Sequence, residues 1–322
     1  MVILLGFNDI VVLVVSKLIE HDIPYVIYSD KDIVNEKNYN YHKVDSLQIL
    51  QERIVPLKDK SLIVSIGAPW IFKDHFLSLF EPQGIFNVHG SGLPMDKGGT
   101  IVSWLILNRK RLGHAVMHKV VSNPDAGPIL ASQEFIYSNQ CQLPIDFINE
   151  YNKQQSNLLY RICVDWYNGK IDLLNLSEQQ HYHSSYWPRL NAKLNAWIDW
   201  NWSGDQIELF IRAFDEPYSG ARTLWRNKVI SLKNAFYQSD SNYHPFQFGI
   251  VFRKTNQVDL NYLAIAVSGG TLYVQTVENE SGLSVLNDIN EGDRFITPQN
   301  LLDEAKIRTV KGKSGFERQK DL

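Results

Sequence analysis

Short apolar runs alternate with helix-length segments through the first half of the chain. "VILLGF", from residue 2, is followed by the helix-length "NDIVVLVVSKLIEHD" and then by a second apolar run, "IPYVIYSD". A strand, a helix and a strand within about 30 residues predict a βαβ unit with a right-handed crossover. The alternation continues to a long helix predicted at about Pro144–Tyr167. It predicts a doubly wound, Rossmann-like α/β sheet with helices on both faces.

The first apolar run is not followed by G-x-G-x-x-G, because "GFNDIV" supplies a single glycine. A dinucleotide site is therefore not predicted at this turn. A predicted helix at "WIFKDHFLSLF" and another at "TIVSWLILN" flank the predicted strand "GIFNVHG". These segments complete the expected layering of the first domain.

The second half of the chain has a different pattern. "SGDQIELFIRAF" predicts a helix capped by Ser203, with apolar positions Ile207, Phe210, Ile211 and Phe214. After Tyr218, short alternating runs predict a small β-barrel, OB-like in size, or a sandwich. We therefore predict a catalytic domain at 1–180, a linker at 181–202 and a helix plus β domain at 203–322.

Composition excludes several classes of protein. A net charge of −3 over 322 residues argues against a nucleic-acid partner. No run reaches the roughly 18 apolar residues of a membrane span, and the N-terminal run lacks the basic start and cleavage site of a signal peptide. The two cysteines, Cys141 and Cys163, are expected to be buried and reduced. We predict a cytoplasmic protein without a membrane partner.

Polar residues end the predicted strand at "FNVHGSGLP". Asn87 and His89 stand where open α/β sheets bind ligands, and Asp125 follows another predicted strand 36 positions after His89. A histidine can take a proton from an attacking amine, a carboxylate can orient it, and an amide can stabilise an oxyanion. This set predicts acyl transfer to an amine. On spacing alone, a structural histidine and a turn-forming aspartate stay open as the alternative.

Longer motifs resemble the folate-dependent formyltransferase superfamily, which includes methionyl-tRNA, glycinamide ribonucleotide and nucleotide-sugar formyltransferases. "FNVHGSGLP" followed by "KGG" and a helix, and "HKVVSNPDAGPIL", are similar to its catalytic motifs. "YWPRLN" through "SGARTL", and the β-runs ending at "NDINEGDRF", resemble its C-terminal domain. The resemblance implies that Asn87, His89 and Asp125 are catalytic. It also implies 10-formyltetrahydrofolate as co-substrate and no metal.

Several positions depart from the family pattern. Gly90 and Gly92 stand where the family often has proline and leucine, and Lys97 replaces the usual arginine. The acidic-Glu-Gly run before the aspartate becomes "VSNP", in which Asn123 can adopt the left-handed conformation of glycine. None of these changes removes a catalytic group, but they leave the acceptor side of the site open.

The family binds its pterin through backbone groups of the loop that is "GAPWIF" here. The resemblance therefore implies cofactor contacts at Trp70, Ile71 and Asn123, although Trp70 could instead start a helix and pack into the core. We predict acceptor contacts at Lys97, Tyr186 and Trp187. Their alternatives are a solvated loop lysine and aromatic packing between domains.

The segments "SIGAPWIF", "NVHGSGLP" and "KGGTIVSW" most resemble the branch of the formyltransferases that acts on amino sugars. The predicted acceptor is a dTDP- or UDP-linked amino sugar used for bacterial surface polysaccharide such as the lipopolysaccharide O-antigen. Methionyl-tRNA formylation and a non-catalytic nucleotide-sugar or folate binding module are the alternatives, and a homodimer is left open. His181 and His183 form an H-x-H without a third ligand at convincing spacing, which favours a surface linker over a metal site.

Overall fold

The computed structural model describes residues 1–33, 38–99, 101–180, 184–257, 260–312 and 315–319, so His181 and His183 lie outside the described residues. The chain folds into two compact units. The N-terminal unit contains Met1–Gly98, Arg111–Tyr137 and Asn149–Trp187, and the C-terminal unit contains Gly99–Lys110, Ser138–Ile148 and Pro188–Leu322. The domain boundaries predicted from the sequence stay a prediction.

The described residues of the N-terminal unit form nine strands. They are β1 (Val2–Leu5), β2 (Tyr25–Ser29), β3 (Tyr41–Lys43), β4 (Leu62–Ser65), β5 (Phe86–His89), β6 (Lys97–Gly98), β7 (Leu112–Lys119), β8 (Ile129–Ile136) and β9 (Tyr186–Trp187). Seven of them form one sheet in the order β3-β2-β1-β4-β5-β7-β8. The neighbouring pairs from β3 to β5 are parallel, whereas the pairs β5–β7 and β7–β8 are antiparallel. β6 and β9 form a separate two-stranded parallel sheet.

Both faces of the large sheet are covered. Val2 and Leu4 pack into one apolar cluster with side chains of the first and the longest helices, while Ile3 and Leu5 pack into a second cluster on the other face. Because alternate residues of a strand point to opposite faces, a fully apolar strand such as β1 needs cover on both sides. The predicted doubly wound arrangement is therefore confirmed.

The helices of the chain include the predicted ones, one of them shorter than expected, and two short helices at Ala192–Asn195 and Gln299–Ala305 that were not predicted. They are α1 (Asp9–Glu20), α2 (Leu47–Ile54), α3 (Asp74–Leu77), α4 (Ile101–Leu107), α5 (Pro144–Tyr167), α6 (Ala192–Asn195), α7 (Gly204–Ala213) and α8 (Gln299–Ala305). The helix predicted from Trp70 begins only at Asp74, because Phe72 turns into the core beside Phe76 while Ile71 is 70 % exposed. Trp70 therefore does not start a helix.

The C-terminal unit is built on an antiparallel sheet. Its strands are β10 (Ala221–Trp225), β11 (Lys228–Gln238), β12 (Val251–Gln257), β13 (Leu260–Val267), β14 (Gly270–Asn279), β15 (Phe295–Ile296), β16 (Thr309–Gly312) and β17 (Gly315–Arg318). The main sheet has the order β12-β13-β14-β11-β10-β15. A bridge between Ile250 and Arg294 joins its two edges, so the sheet is curled. The OB-like topology stays a prediction.

Helix α7 packs Ile207 and Ile211 into the core of this unit. Ser203 precedes the helix, but its hydroxyl bonds to the carboxylate of Asp205 rather than to a backbone N–H, so the predicted side-chain cap is wrong. The hydroxyl instead acts as a donor to the acidic side chain two residues later.

Cys141 and Cys163 are both buried, as expected, and neither forms a disulfide bond within the described residues. Within the described ranges, no helix has both the length and the apolar character required to cross a bilayer.

Candidate active site

The carboxyl end of β5 places Asn87 and His89 against strand β7. In the antiparallel register, Asn87 lies opposite His118 and His89 lies opposite Val116. The loop after β7 then returns Asp125 to the same edge of the sheet. Three side chains that are separated along the chain are thereby brought together.

His89 and Asp125 of the predicted triad lie close to each other. The His89 Nδ1 atom lies 3.5 Å from Asp125 Oδ1, with the imidazole almost fully buried and the carboxylate one-fifth exposed. The backbone N–H of Gly98 donates to Asp125 Oδ2 at 3.4 Å. A carboxylate in this position can orient the imidazole and stabilise it when it gains a proton.

Asp125 also has the left-handed backbone of this loop. Its φ is 55°, whereas the sequence suggested Asn123 as the residue able to take that conformation. Aspartate tolerates positive φ better than most residues because its short side chain can bond locally. The left-handed residue of the turn is therefore the candidate catalytic aspartate itself, and Asn123 is an exposed loop residue.

His118 is a site residue that the sequence did not single out. Its Nδ1 donates to the carbonyl of Lys119 at 3.0 Å, and burial lowers its pKa to about 4. The ring is therefore neutral near pH 7, and its Nε2 lone pair accepts from Asn87 Nδ2 at 3.2 Å. A polar residue inside the apolar run "GHAVMHKVV" was the available signal.

This contact fixes the orientation of the Asn87 amide. A neutral His118 with its own N–H committed to Lys119 can only accept, so the Asn87 nitrogen must face it. The second amide hydrogen is left for a ligand. A fixed amide donor beside a reacting carbonyl is the arrangement that stabilises an oxyanion.

A cavity of about 210 Å³ opens beside these residues. Two of the candidate catalytic side chains, Asn87 and Asp125, line it together with His118. The loop after β4 forms another wall through residues Gly67, Ala68, Trp70, Ile71 and Phe72. Trp70 is half-buried, and Asn123 is not among the lining residues. The volume suits one ring system, since sites for whole drug-sized ligands are about 300–1,000 Å³.

The backbone of this loop has unused hydrogen-bonding groups. Among the described residues, the N–H and C=O groups of residues 70–72 make no hydrogen bond to another part of the protein. The three residues are among those that line the cavity. Such groups can read the polar edge of a heterocycle, which needs paired donors and acceptors.

A second group of predicted residues meets at the small sheet. Lys97 pairs with Tyr186, and Gly98 pairs with Trp187, across β6 and β9. Lys97 is 9 % exposed, so it is not a solvated loop lysine, whereas Tyr186 is 54 % exposed. Strand β9 thus places two accessible aromatic residues beside Lys97, which follows the His89 loop in the chain.

The two glycines that depart from the family pattern have physical explanations. A Cβ added at Gly90 would overlap the ring of Tyr151, and one at Gly92 would lie 2.9 Å from the ring of His114. The rings of Tyr151 on α5 and His114 on β7 fill the space of the missing side chains. Burial, with a smaller effect of the nearby Asp125 charge, raises the pKa of Tyr151 to about 12, so its phenol stays neutral.

Comparison with known proteins adds evidence from family and fold. Residues 192–286 match the model of the formyl transferase C-terminal domain. The fold is similar to that of an N-formyltransferase from Helicobacter canadensis, solved in complex with folinic acid and dTDP-3-aminofucose. That structure is 18 % identical, with a TM-score of 0.62, and the match covers 85 % of this chain and 98 % of the other.

Two further structures share the fold. WlaRD, a sugar 3N-formyl transferase solved in the presence of dTDP and 5-N-formyl-THF, is 18 % identical, with a TM-score of 0.60 and coverage of 85 % of this chain and 96 % of the other. HypX from Aquifex aeolicus, solved in complex with tetrahydrofolic acid, is 15 % identical, with a TM-score of 0.60 and coverage of 87 % and 44 %. The match and the shared fold confirm the resemblance on which the sequence interpretation depends.

Proposed function

We propose that this chain, a member of the formyltransferase family, transfers the formyl group of 10-formyltetrahydrofolate to the primary amine of a nucleoside-diphosphate-linked amino sugar. The observation that carries the proposal is the shared cavity. Asn87 and Asp125 line it beside the loop of Trp70 and Ile71, and His89 is in contact range of Asp125. The residues proposed to bind the donor and those proposed to carry out acyl transfer therefore lie next to each other in the N-terminal unit.

The donor fits the cavity through its pterin ring. The free backbone groups of residues 70–72 would pair with the polar edge of the ring, and Trp70 would cover its apolar face. The formyl group on N10 would then lie toward Asn87 and Asp125. The tail of the folate lies outside a cavity of this size. Asn123 is proposed only as part of the loop that leads to Asp125.

The chemistry follows from the groups at the cavity edge. The neutral amine attacks the formyl carbon, a carbon–nitrogen bond forms, and charge develops on the formyl oxygen. The free hydrogen of the Asn87 amide stabilises this charge, and the His89–Asp125 pair takes the proton lost by the amine. The bond between the formyl carbon and N10 then breaks, and N10 receives a proton. The products are the N-formyl sugar and tetrahydrofolate.

Features of the acceptor side support a nucleotide-linked sugar. The buried Lys97 can meet a diphosphate, and the exposed rings of Tyr186 and Trp187 can stack on a base. The two sugar-formyltransferase structures contain dTDP or a dTDP-sugar together with a folate. An acceptor of this class agrees with the role in bacterial surface polysaccharide that the sequence resemblance implies.

The test is formylation of a panel of dTDP- and UDP-linked amino sugars, followed by mass spectrometry of the products. We expect one or more panel members to gain one formyl group in the presence of 10-formyltetrahydrofolate. The matched control is His89→Asn, which removes the proton acceptor at the site and should lose activity by several orders of magnitude.

Two results would contradict the proposal. Formylation of methionyl initiator tRNA without formylation of any sugar would assign the tRNA activity instead. Binding of folate and nucleotide sugar without product in a single-turnover assay would identify a binding module.

A further inference from the structure

Ser91 lies between His89 and the backbone of the following loop. Its Oγ is 2.6 Å from His89 Nε2, and its hydroxyl donates to the carbonyl of Asp96. Ser91 is 3 % exposed, so water does not compete for these bonds. One buried hydroxyl therefore joins the catalytic imidazole to the strand that carries Lys97.

The direction of these bonds follows from counting hydrogens. A hydroxyl has one hydrogen, and a carbonyl oxygen can only accept. With that hydrogen committed to Asp96, Ser91 Oγ can only accept from His89, so Nε2 must carry a hydrogen. The other ring nitrogen, Nδ1, faces Asp125 at 3.5 Å, which is longer than a normal hydrogen bond.

We propose that Ser91 is a positioning residue that keeps the hydrogen of His89 on Nε2. Nδ1 then remains free to take the proton of the attacking amine, on the side of Asp125. Without the Ser91 acceptor, Nε2 would keep, among the described residues, only the carbonyl of Asp96, at 3.5 Å, which is longer than a normal hydrogen bond. The Asp125 carboxylate would then draw the single ring hydrogen to Nδ1 and close that position. The kinetic part of this inference rests on the proposed function, whereas the position of the hydrogen does not.

Ser91, His89 and Asp125 stand in the same order as a serine-hydrolase triad. The hydroxyl, however, is buried and its hydrogen is directed at Asp96, away from the imidazole that would have to remove it. The cavity beside Asn87 does not include Ser91 among its lining residues. Ser91 thus orients the histidine and is not a nucleophile.

The direct test is ¹⁵N NMR of histidine side chains in the full-length protein. The signals of His89 are those that disappear in His89→Asn. In the wild type we expect the neutral ring to carry its hydrogen on Nε2, and in Ser91→Ala to carry it on Nδ1. Ser91→Thr keeps a hydroxyl and should keep the wild-type form. Retention of the Nε2–H form in Ser91→Ala would overturn the proposal.

A matched control separates this effect from the loss of any buried serine. Ser103 is fully buried on α4, and its Oγ donates to the carbonyl of Ala213 at 2.9 Å. Ser103→Ala removes an equivalent hydrogen bond with no histidine attached. It should leave the ring hydrogen of His89 where it is, and an equal change in both variants would contradict the inference.

Kinetics supply the second readout. Ser91→Ala should lower kcat about 10- to 100-fold, with KM for both substrates within about twofold, since one buried hydrogen bond to the catalytic ring is lost. Ser91→Thr should recover most of kcat, and the pH profile of kcat/KM should change only in the alanine variant. A change confined to KM, or labelling of Ser91 by a fluorophosphonate, would overturn the positioning role. If no amine is formylated but the NMR result holds, the proposed function fails and the inference about Ser91 stands.

Discussion

Asn87 and His118 occupy opposed positions on β5 and β7, and their side-chain nitrogens lie 3.2 Å apart. Because His118 is buried and its Nδ1 hydrogen is held by Lys119, it acts on the amide only as an acceptor. The proposed oxyanion donor, Asn87, thus takes its orientation from a neutral histidine on the neighbouring strand.

Replacing His118 with leucine should free the Asn87 amide to rotate. We expect kcat to fall about 10- to 100-fold while the dissociation constant for folate changes little, because the missing contact matters most when the oxyanion forms. Steady-state kinetics and calorimetric folate titration would measure the two effects. A variant with wild-type kcat would show that Asn87 does not depend on this partner.

The lowered pKa of His118 predicts an effect of pH on stability. Between the ordinary value of 6.5 and the folded value of about 4, the unfolded chain binds a proton that the folded protein does not. Stability should therefore fall as the pH is lowered from 6.5 to 4, with a contribution from this residue of up to about 3 kcal/mol. Urea unfolding across this range should show the loss in the wild type. His118→Asn, which can still donate to Lys119, should show a smaller loss, and equal slopes would contradict the assignment.

Asp125→Asn should retain folate binding and lose turnover. The amide preserves the shape of the side chain but cannot stabilise a protonated His89 as a carboxylate does. The effect on kcat should be at least about 100-fold, with the folate dissociation constant within a few fold. Single-turnover rates and binding titrations would separate the two, and unchanged turnover would remove Asp125 from the mechanism.

Lys97→Ala tests the acceptor side. Loss of this buried lysine should raise KM for the nucleotide sugar with little effect on KM for 10-formyltetrahydrofolate, because Lys97 is proposed to contact the diphosphate. Lys170→Ala, which removes an exposed charge from the same unit, is the matched control. A change confined to the folate KM would mean that the positions of the two substrates relative to His89 are the reverse of those proposed.

Gly90→Ala tests the packing behind the catalytic loop. An added methyl would overlap the Tyr151 ring, and overpacking of this kind costs about 1–3 kcal/mol of unfolding free energy. Tyr151→Leu should be destabilising alone but should reduce the cost of Gly90→Ala in the double variant. Additive losses in the double-mutant cycle would show that Tyr151 is not the reason for glycine at this position.

The layered α/β sheet, the main helices and the three candidate catalytic residues could all be predicted from the amino-acid sequence. These features are local, since a buried parallel strand must be apolar on both faces and a ligand-binding strand end must be polar. The alternation of apolar runs and helices that begins at Val2–Leu5, and the polar strand end at Asn87 and His89, can therefore be recognised in the amino-acid sequence.

The residues that hold the site in place could not be predicted in this way, because their contacts form only in the folded protein. His118 becomes the partner of Asn87 through the antiparallel register of β5 and β7, and Ser91 reaches His89 because the loop folds back to Asp96. Lys97 is buried next to β9 by a pairing between segments far apart in the chain. Strand register and loop closure depend on packing across the whole unit, and no pattern of neighbouring residues encodes which side chains will be opposed.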